Sequence, residues 1–344
     1  MSSVTRVESA ASVDTGSAPA SGGALARLAA QGTQLLGVGG FYLILVVFFS
    51  IKADHFLTTS NTVNILSNIA ILGVVSLGQA IVLISGGFDL SVSGTVPLGG
   101  IIFVELVNHG HGIALATLAA VGAGLVVGVC NGLIVTVLGI NPLITTLATV
   151  SITGGLAFTV SNGLTVTLTN VGDAPLGNVL WGMPRYVWTM FVLAIIVFIV
   201  LRYTVFGRML YSVGGNREAT RLAGVPVNAI TMAVYVLSGI LSSFAGVMLA
   251  QQLLAGAPSV GSTQGLQSIT AVILGGAALT GGTGGIPGTL LGVLVIGTVS
   301  NGLALMQVPT FYQQIATGVI LLLAVGLGRL RGLVERTIWA RSRV

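Results

Sequence analysis

The chain has 344 residues, of which 54% are hydrophobic and only 6% charged, with a formal net charge of +5 and a mean hydropathy of +1.02. Soluble domains carry about 25% charged residues, so a soluble globular fold is excluded and an all-α polytopic membrane protein is expected. Fifty glycines suit that class, because small residues let helices approach closely where no hydrophobic effect drives their association. The single Cys130 allows no internal disulfide.

Residues 1–33 are rich in Ala, Ser and Gly, with Arg6, Glu8, Asp14 and Arg27 scattered among them. No basic start followed by an apolar run of about 7 to 15 residues marks a signal peptide, and the segment is expected to be a disordered cytoplasmic tail. Residues 34–328 form the transmembrane unit, and 329–344 a basic cytoplasmic tail. A span needs about 20 residues at 1.5 Å each. Ten apolar runs are expected to cross, at 35–51, 63–84, 92–108, 112–138, 143–160, 186–203, 228–250, 267–280, 286–306 and 311–328. The eighth and ninth share one apolar stretch, which as a single helix would run about 58 Å. The chain is therefore expected to turn at Gly281-Gly282-Thr283-Gly284-Gly285-Ile286-Pro287.

The second run ends at Ser85-Gly86-Gly87-Phe88-Asp89-Leu90-Ser91-Val92-Ser93-Gly94, which holds the only acid between Asp54 and Glu105. A carboxylate inside a span costs about 2.5 to 3.5 kcal/mol even on lenient insertion scales, so Asp89 is expected at a water-accessible break or beside a partner. Glu105 lies about one turn from a span end and reaches the headgroups. Asp173 belongs to a segment, 162–185, that with Pro175, Trp181 and Pro184 offers a surface to an external protein.

Basic residues set the orientation. With the amino terminus inside, Arg6, Arg27, Arg202, Arg208, Arg217, Arg221, Arg329, Arg331, Arg336, Arg341 and Arg343 fall on the inner face, and Lys52 and Arg185 on the outer. This is a positive-inside bias with both termini cytoplasmic. The basic balance thus concerns topology and anionic lipid, with no nucleic acid implied.

An internal repeat is also visible, with halves at approximately 63–160 and 228–328. Asp89-Leu90-Ser91-Val92 precedes Gly99-Gly100 as Gly265-Leu266-Gln267-Ser268 precedes Gly275-Gly276, and Asn131-Gly132-Leu133 matches Asn301-Gly302-Leu303. Glycines recur four apart before each, Gly124, Gly128 and Gly132 in one half, Gly284, Gly288 and Gly292 in the other, a flat strip for helix packing. The halves run in opposite senses, as in the inverted repeats of many transporters. That topology puts Gly265, which stands where Asp89 stands in the first half, at the opposite membrane face.

Enzymatic motifs are missing. The only lysine, Lys52, follows no Gly-rich loop, and neither a Gly-x-Ser-x-Gly elbow nor a His-Glu-x-x-His pair occurs. His55, His109 and His111 supply no third ligand for a metal site. The largest inner loop, 204–227, holds Gly215-Asn216-Arg217-Glu218-Ala219-Thr220-Arg221-Leu222-Ala223-Gly224. Asn216 is placed to cap a short helix, Glu218 and Arg221 complement its ends, and Gly224 with Pro226 stops it.

The Gly-Gly-Phe-Asp-Leu-Ser-Val run, the Gly-Gly-Asn-Arg-Glu-Ala-Thr-Arg-Leu-Ala-Gly-Val loop and the Gly-Gly-Thr-Gly-Gly-Ile-Pro-Gly-Thr turn together resemble the ribose-type permeases of bacterial ABC sugar importers, across roughly residues 35–330. One departure is Ser93, where the family usually places glycine directly after Asp-Leu-Ser-Val. The resemblance implies a type II importer-like fold in the bacterial plasma membrane and a sugar delivered by an extracytoplasmic binding protein. It further implies a second permease chain, identical or closely related, and separate ATP-binding cassette subunits that carry ATP and Mg, with no cofactor on this chain. It makes Gly215, Asn216, Arg217, Glu218, Ala219, Arg221 and Gly224 the coupling helix against the ATPase. Asp89 and Ser91, with Asn141, Pro142, Thr145 and Thr146, become cytoplasmic gate residues. The other reading makes Thr145 and Thr146 helix-start residues and Asp89 a cap or structural hydrogen-bond acceptor. The alternative function is an ATP-independent secondary transporter or channel, which needs ionisable or clustered polar groups near the midplane.

Overall fold

The computed structural model describes residues 22–169 and 175–341. Along them run α1 (Gly22–Lys52), α2 (Thr59–Ile84), α3 (Val92–Asn108), α4 (Ile113–Thr136), α5 (Pro142–Val160), α6 (Arg185–Tyr203), α7 (Val205–Gly215), α8 (Arg217–Leu222), α9 (Val227–Leu253), α10 (Gln264–Leu274), α11 (Ile286–Leu305) and α12 (Thr310–Arg341). Two small ladders complete it: β1 (Val166–Thr167) pairs antiparallel with β4 (Ala255–Gly256), and β2 (Val179–Leu180) with β3 (Met183–Pro184).

Boundaries follow local chemistry. Thr58 caps α2 by accepting from the Asn61 N–H at 3.2 Å; Asn141 caps α5 ahead of Pro142, whose missing N–H costs nothing at that position. Leu254 ends α9 in the left-handed conformation. Two expected boundaries move. Residues 22–33, expected in a disordered tail, are helical, as the Ala- and Leu-rich run from Ala24 to Ala30 favours; residues 1–21 lie outside the described residues. At the other end α12 continues through the expected basic tail as far as Arg341.

Nine of the ten expected spans coincide closely with helices, and the eighth does so only as far as Leu274. Among the described residues α2, α4, α5, α6, α9 and α11 are long and apolar enough to cross a membrane, while Leu36–Lys52, Val92–Asn108, Gln264–Leu274 and Thr310–Ala324 are shorter apolar helices. The eighth expected span, 267–280, is corrected. Its helix α10 has only 11 residues, about 16 Å, because Gly275 and Gly276 end it and the chain turns through Gly281, Gly282 and Gly284 at positive φ.

Helices α2 and α9 form the centre. α2 is 89% buried along its most apolar stretch, against 22% for α5 and 33% for α6, which present their apolar sides outward. α9 packs on α3 and α4, and α2 packs on α10 and α11; α3 lies against α4 and α5, and α10 against α11 and α12. Each contact in one half thus has a counterpart in the other. The close approaches are made by glycine: Gly124 and Gly128 abut the α9 backbone at Gly239 and Tyr235, and Gly132 abuts Met232. In the second half Gly288 and Gly292 abut α10 at Gly275 and Ala271. Gly284 departs from the expected strip, since it precedes α11 at φ +136 and faces Ala277 and Ile84.

A side chain at Gly128 would overlap the Tyr235 carbonyl, whereas one at Gly122 meets nothing within 4 Å. Gly128→Leu is expected to destabilise the purified chain by about 3 kcal/mol or more, with Gly122→Ala neutral; a melting curve in detergent decides it, and equal melting would contradict the assigned contact.

Candidate functional site

The break between α2 and α3 runs through the inside of the bundle. Asp89 is 1% exposed, and Ser238 of α9 donates to its Oδ2 at 2.6 Å. Ser238 lies eleven residues past the start of α9 at Val227 and fifteen before its end at Leu253, or about 17 and 22 Å along the helix. The carboxylate therefore sits beside the middle of α9, and of the two expectations, a water-accessible break or a partner, it has the partner.

Three donors converge on it. Besides Ser238, the Ser91 N–H and the Ser91 hydroxyl donate to Oδ1 at 2.9 and 2.5 Å. Ser91 in turn accepts from Asn131 Nδ2 of α4 at 2.9 Å, and Asn131 Oδ1 accepts from Thr149 of α5 at 2.6 Å. All five side chains are buried. This line of donors joins α9, the start of α3, α4 and α5, and the last turn before α3 also places the acid at the positive end of that helix. Buried carboxylates of this kind need such donors, because an unpaired one costs several kcal/mol.

The return segment of the second half approaches the same level. After α9 the chain descends alongside α3, with Gly256 against Ile101 and Gly261 against Val96. The Gly265 N–H then donates to Ser93 Oγ at 3.2 Å. The amino-terminal ends of α3 and α10 thus meet inside the bundle. Gly265, expected at the membrane face opposite Asp89, instead adjoins the same break; a side chain there would collide with Ser93. Ser93, the departure from the usual glycine, supplies the hydroxyl of that contact.

The loop residues gather at one end of the bundle. Asn216 caps α8 by accepting from the Ala219 N–H at 2.9 Å, Thr220 is buried and donates to Ser212 and Asn216 carbonyls, and Arg221 pairs with Glu218 at 2.7 Å. The Arg221 guanidinium holds the exposed Glu218 carboxyl below its ordinary range. Arg217 reaches Asn228, and Gly224 turns the chain at φ +82. Gly215 has open space around it, but Gly214 sits between the Ile84 carbonyl and Gly282. The Gly282 N–H donates to Ile84 O at 2.8 Å, Gly281 abuts Gly86, and Tyr211 of α7 donates to Gly284 O at 2.9 Å. Burial pushes the Tyr211 phenol up, which keeps that proton in place. The loop therefore touches the end of α2 and the turn before α11 together.

Asn141 and Pro142 cap the exposed start of α5, where Thr146 donates to Pro142 O and the buried Thr145 hydroxyl has no partner. These four residues start the helix that carries Thr149, and the side-chain hydrogen bonds of Asp89 go to Ser91 and Ser238 instead. Glu105 pairs with His109 at 3.7 Å near the end of α3; Asp173 lies outside the described residues. Among the described residues no three His, Cys, Asp or Glu side chains gather as a metal site. Sequence reasoning missed Ser238, Thr149 and the role of Asn131; only Asn131 carried a signal, as the head of the repeated Asn-Gly-Leu.

A buried polar line thus crosses an apolar bundle, and α7 of the capped loop packs against the break from which that line starts. The family described as "Branched-chain amino acid transport system / permease component" matches residues 61–325, and the chain belongs to it. It is 38% identical to the L-arabinose ABC transporter permease of Azospirillum brasilense, over 89% of this chain and 92% of that protein. It is likewise 38% identical to the ribose import permease of Bacillus subtilis (86% and 93%), and 35% identical to the L-arabinose permease of Escherichia coli K12 (86% and 91%). No solved structure is significantly similar to it.

Asp89→Ala leaves three buried donors unpaired and is expected to lower stability by about 3 kcal/mol, while Asp89→Asn, which still accepts from Ser91 and meets a hydroxyl able to rotate, costs about 1 kcal/mol. Thermal melts in detergent rank the two; equal loss for both would contradict the donor assignment.

Proposed function

We propose that this permease is the membrane subunit of an ATP-driven importer for a small sugar of the pentose class, delivered by an extracytoplasmic binding protein. The pentose reading rests on the arabinose and ribose named for its relatives. In this reading the chain pairs with a second permease, lies in the bacterial plasma membrane with ten apolar segments in two inverted halves, and keeps both termini in the cytoplasm. Of those segments α3 and α10 start within the bundle. ATP and Mg act on partner subunits, and no bond of the sugar changes.

The observation that carries the mechanism is the glycine contact between the loop and both breaks. Closure of the ATPases pushes on α8 at Asn216 to Gly224, and α7 passes the displacement through Gly214 to Ile84 and Gly282. The stretch from Gly86 to Ser91 follows from Ile84, so a shift there strains the donors on Asp89 and, through Asn131, the Thr149 turn of α5. Close-packed contacts without flexible side chains transmit such shifts because they cannot absorb them.

Replacing Glu218 with Arg and Ala219 with Trp on the exposed face of α8 is expected to reduce ATP-driven uptake at least about tenfold with the bundle still folded. Unchanged uptake and ATPase stimulation would remove the coupling assignment. Vesicles holding this chain alone are expected to accumulate neither arabinose nor ribose; accumulation driven by a proton gradient would favour a secondary transporter, with buried Asp89 as the proton site.

A further inference from the structure

We infer that the β2–β3 hairpin is an interfacial anchor whose partner is the lipid surface, with Trp181 seated at the boundary between headgroups and acyl chains. The hairpin turns on Trp181 and Gly182, both at positive φ, 51° and 78°. Two-residue turns of this geometry favour Asn, Asp or Gly at the first position, and a bulky aromatic there is an outlier. Such a residue points to a use outside the turn.

Its surroundings identify the use. Trp181 is 80% exposed, Val179 and Leu180 beside it are exposed as well, and no charged residue occurs between Pro175 and Pro184. The tip does not project away from the bundle. It lies against α6, where the Trp181 and Trp188 rings meet edge to face at 5.5 Å and Trp188 Nε1–H donates to Leu180 O at 3.0 Å. Trp188 then leads to Phe191, Val192, Ile195 and Ile196, the exposed apolar side of a spanning helix.

The depth agrees. Arg185 and Arg202 bracket the apolar part of α6, seventeen residues apart, or about 26 Å, close to the core of a bilayer at about 30 Å. Trp188 stands one turn inside that bracket and Trp181 meets it edge to face, at the level where amphipathic rings collect. Continuity with the exposed apolar side of α6, long and apolar enough to cross a membrane, favours a bilayer over an external binding protein, which the exposed Trp181 alone would equally suit.

The sequence has three tryptophans, so W188F combined with W339F leaves Trp181 as the sole emitter in the full-length chain. In phosphatidylethanolamine–phosphatidylglycerol vesicles, bromines at acyl positions six and seven are expected to quench it roughly twofold, exceeding bromines at deeper positions, with little quenching by iodide. Quenching by iodide and not by brominated lipid overturns the inference, as does protection that appears only when a sugar-binding protein is added. Insensitivity to both quenchers overturns it too, since a protein chain would then cover the hairpin. Should W188F disturb the hairpin, the unsubstituted chain labelled with 5-fluorotryptophan repeats the test. The Trp181 resonance, assigned by its loss in W181N, is expected to relax with dissolved oxygen more than with aqueous nickel; the reverse order overturns the inference.

Discussion

The structure turns on one carboxylate held in the middle of an apolar bundle. Asp89 is tolerable there only because Ser91 and Ser238 donate to both of its oxygens, and those donors belong to different parts of the chain. Satisfying the acid therefore fixes where the α2–α3 break enters the bundle and which turn of α9 faces it. Asn131 and Thr149 extend the same requirement to α4 and α5. A polar line of this kind adds little net stability over apolar packing, but it penalises every arrangement in which a member loses its partner.

Glycine makes that arrangement possible. Around α9 the approach of α4 at Gly124 and Gly128 brings backbones together, and the same device joins α10 to α11 at Gly275, Gly288 and Gly292. Where α7 meets the two breaks, Gly214, Gly281, Gly282 and Gly86 leave no side chain between the segments. The two halves share this logic but differ at their breaks: Asp89 brings a carboxyl group and a donor network, whereas Gly265 offers only its N–H to Ser93.

Much of this was legible from residues alone. The apolar runs located the helices, because backbone hydrogen bonding in a membrane leaves few other choices. The cap at Asn216 and the stop at Gly224 located α8, since both are local chemistry. What escaped is the part set by tertiary placement. Nothing near Ser238 distinguishes it from other small residues of α9, and Thr149 reads like any helix hydroxyl. The depth of Asp89 is not written in its neighbours, because a glycine-rich break looks the same at a membrane face and within a bundle. The end of α10 and the place of Gly284 ahead of α11 are hidden in the sequence, because the apolar run continues past the point where Gly275 and Gly276 end the helix.

The central claim is that Ser238 and Thr149, which do not touch, are coupled through Ser91, Asn131 and Asp89. A double-mutant cycle of Ser238→Ala and Thr149→Val, read from unfolding free energies in detergent, measures it directly. The account predicts an interaction energy above about 0.5 kcal/mol, whereas additivity within about 0.3 kcal/mol would show two independent hydrogen bonds and contradict it.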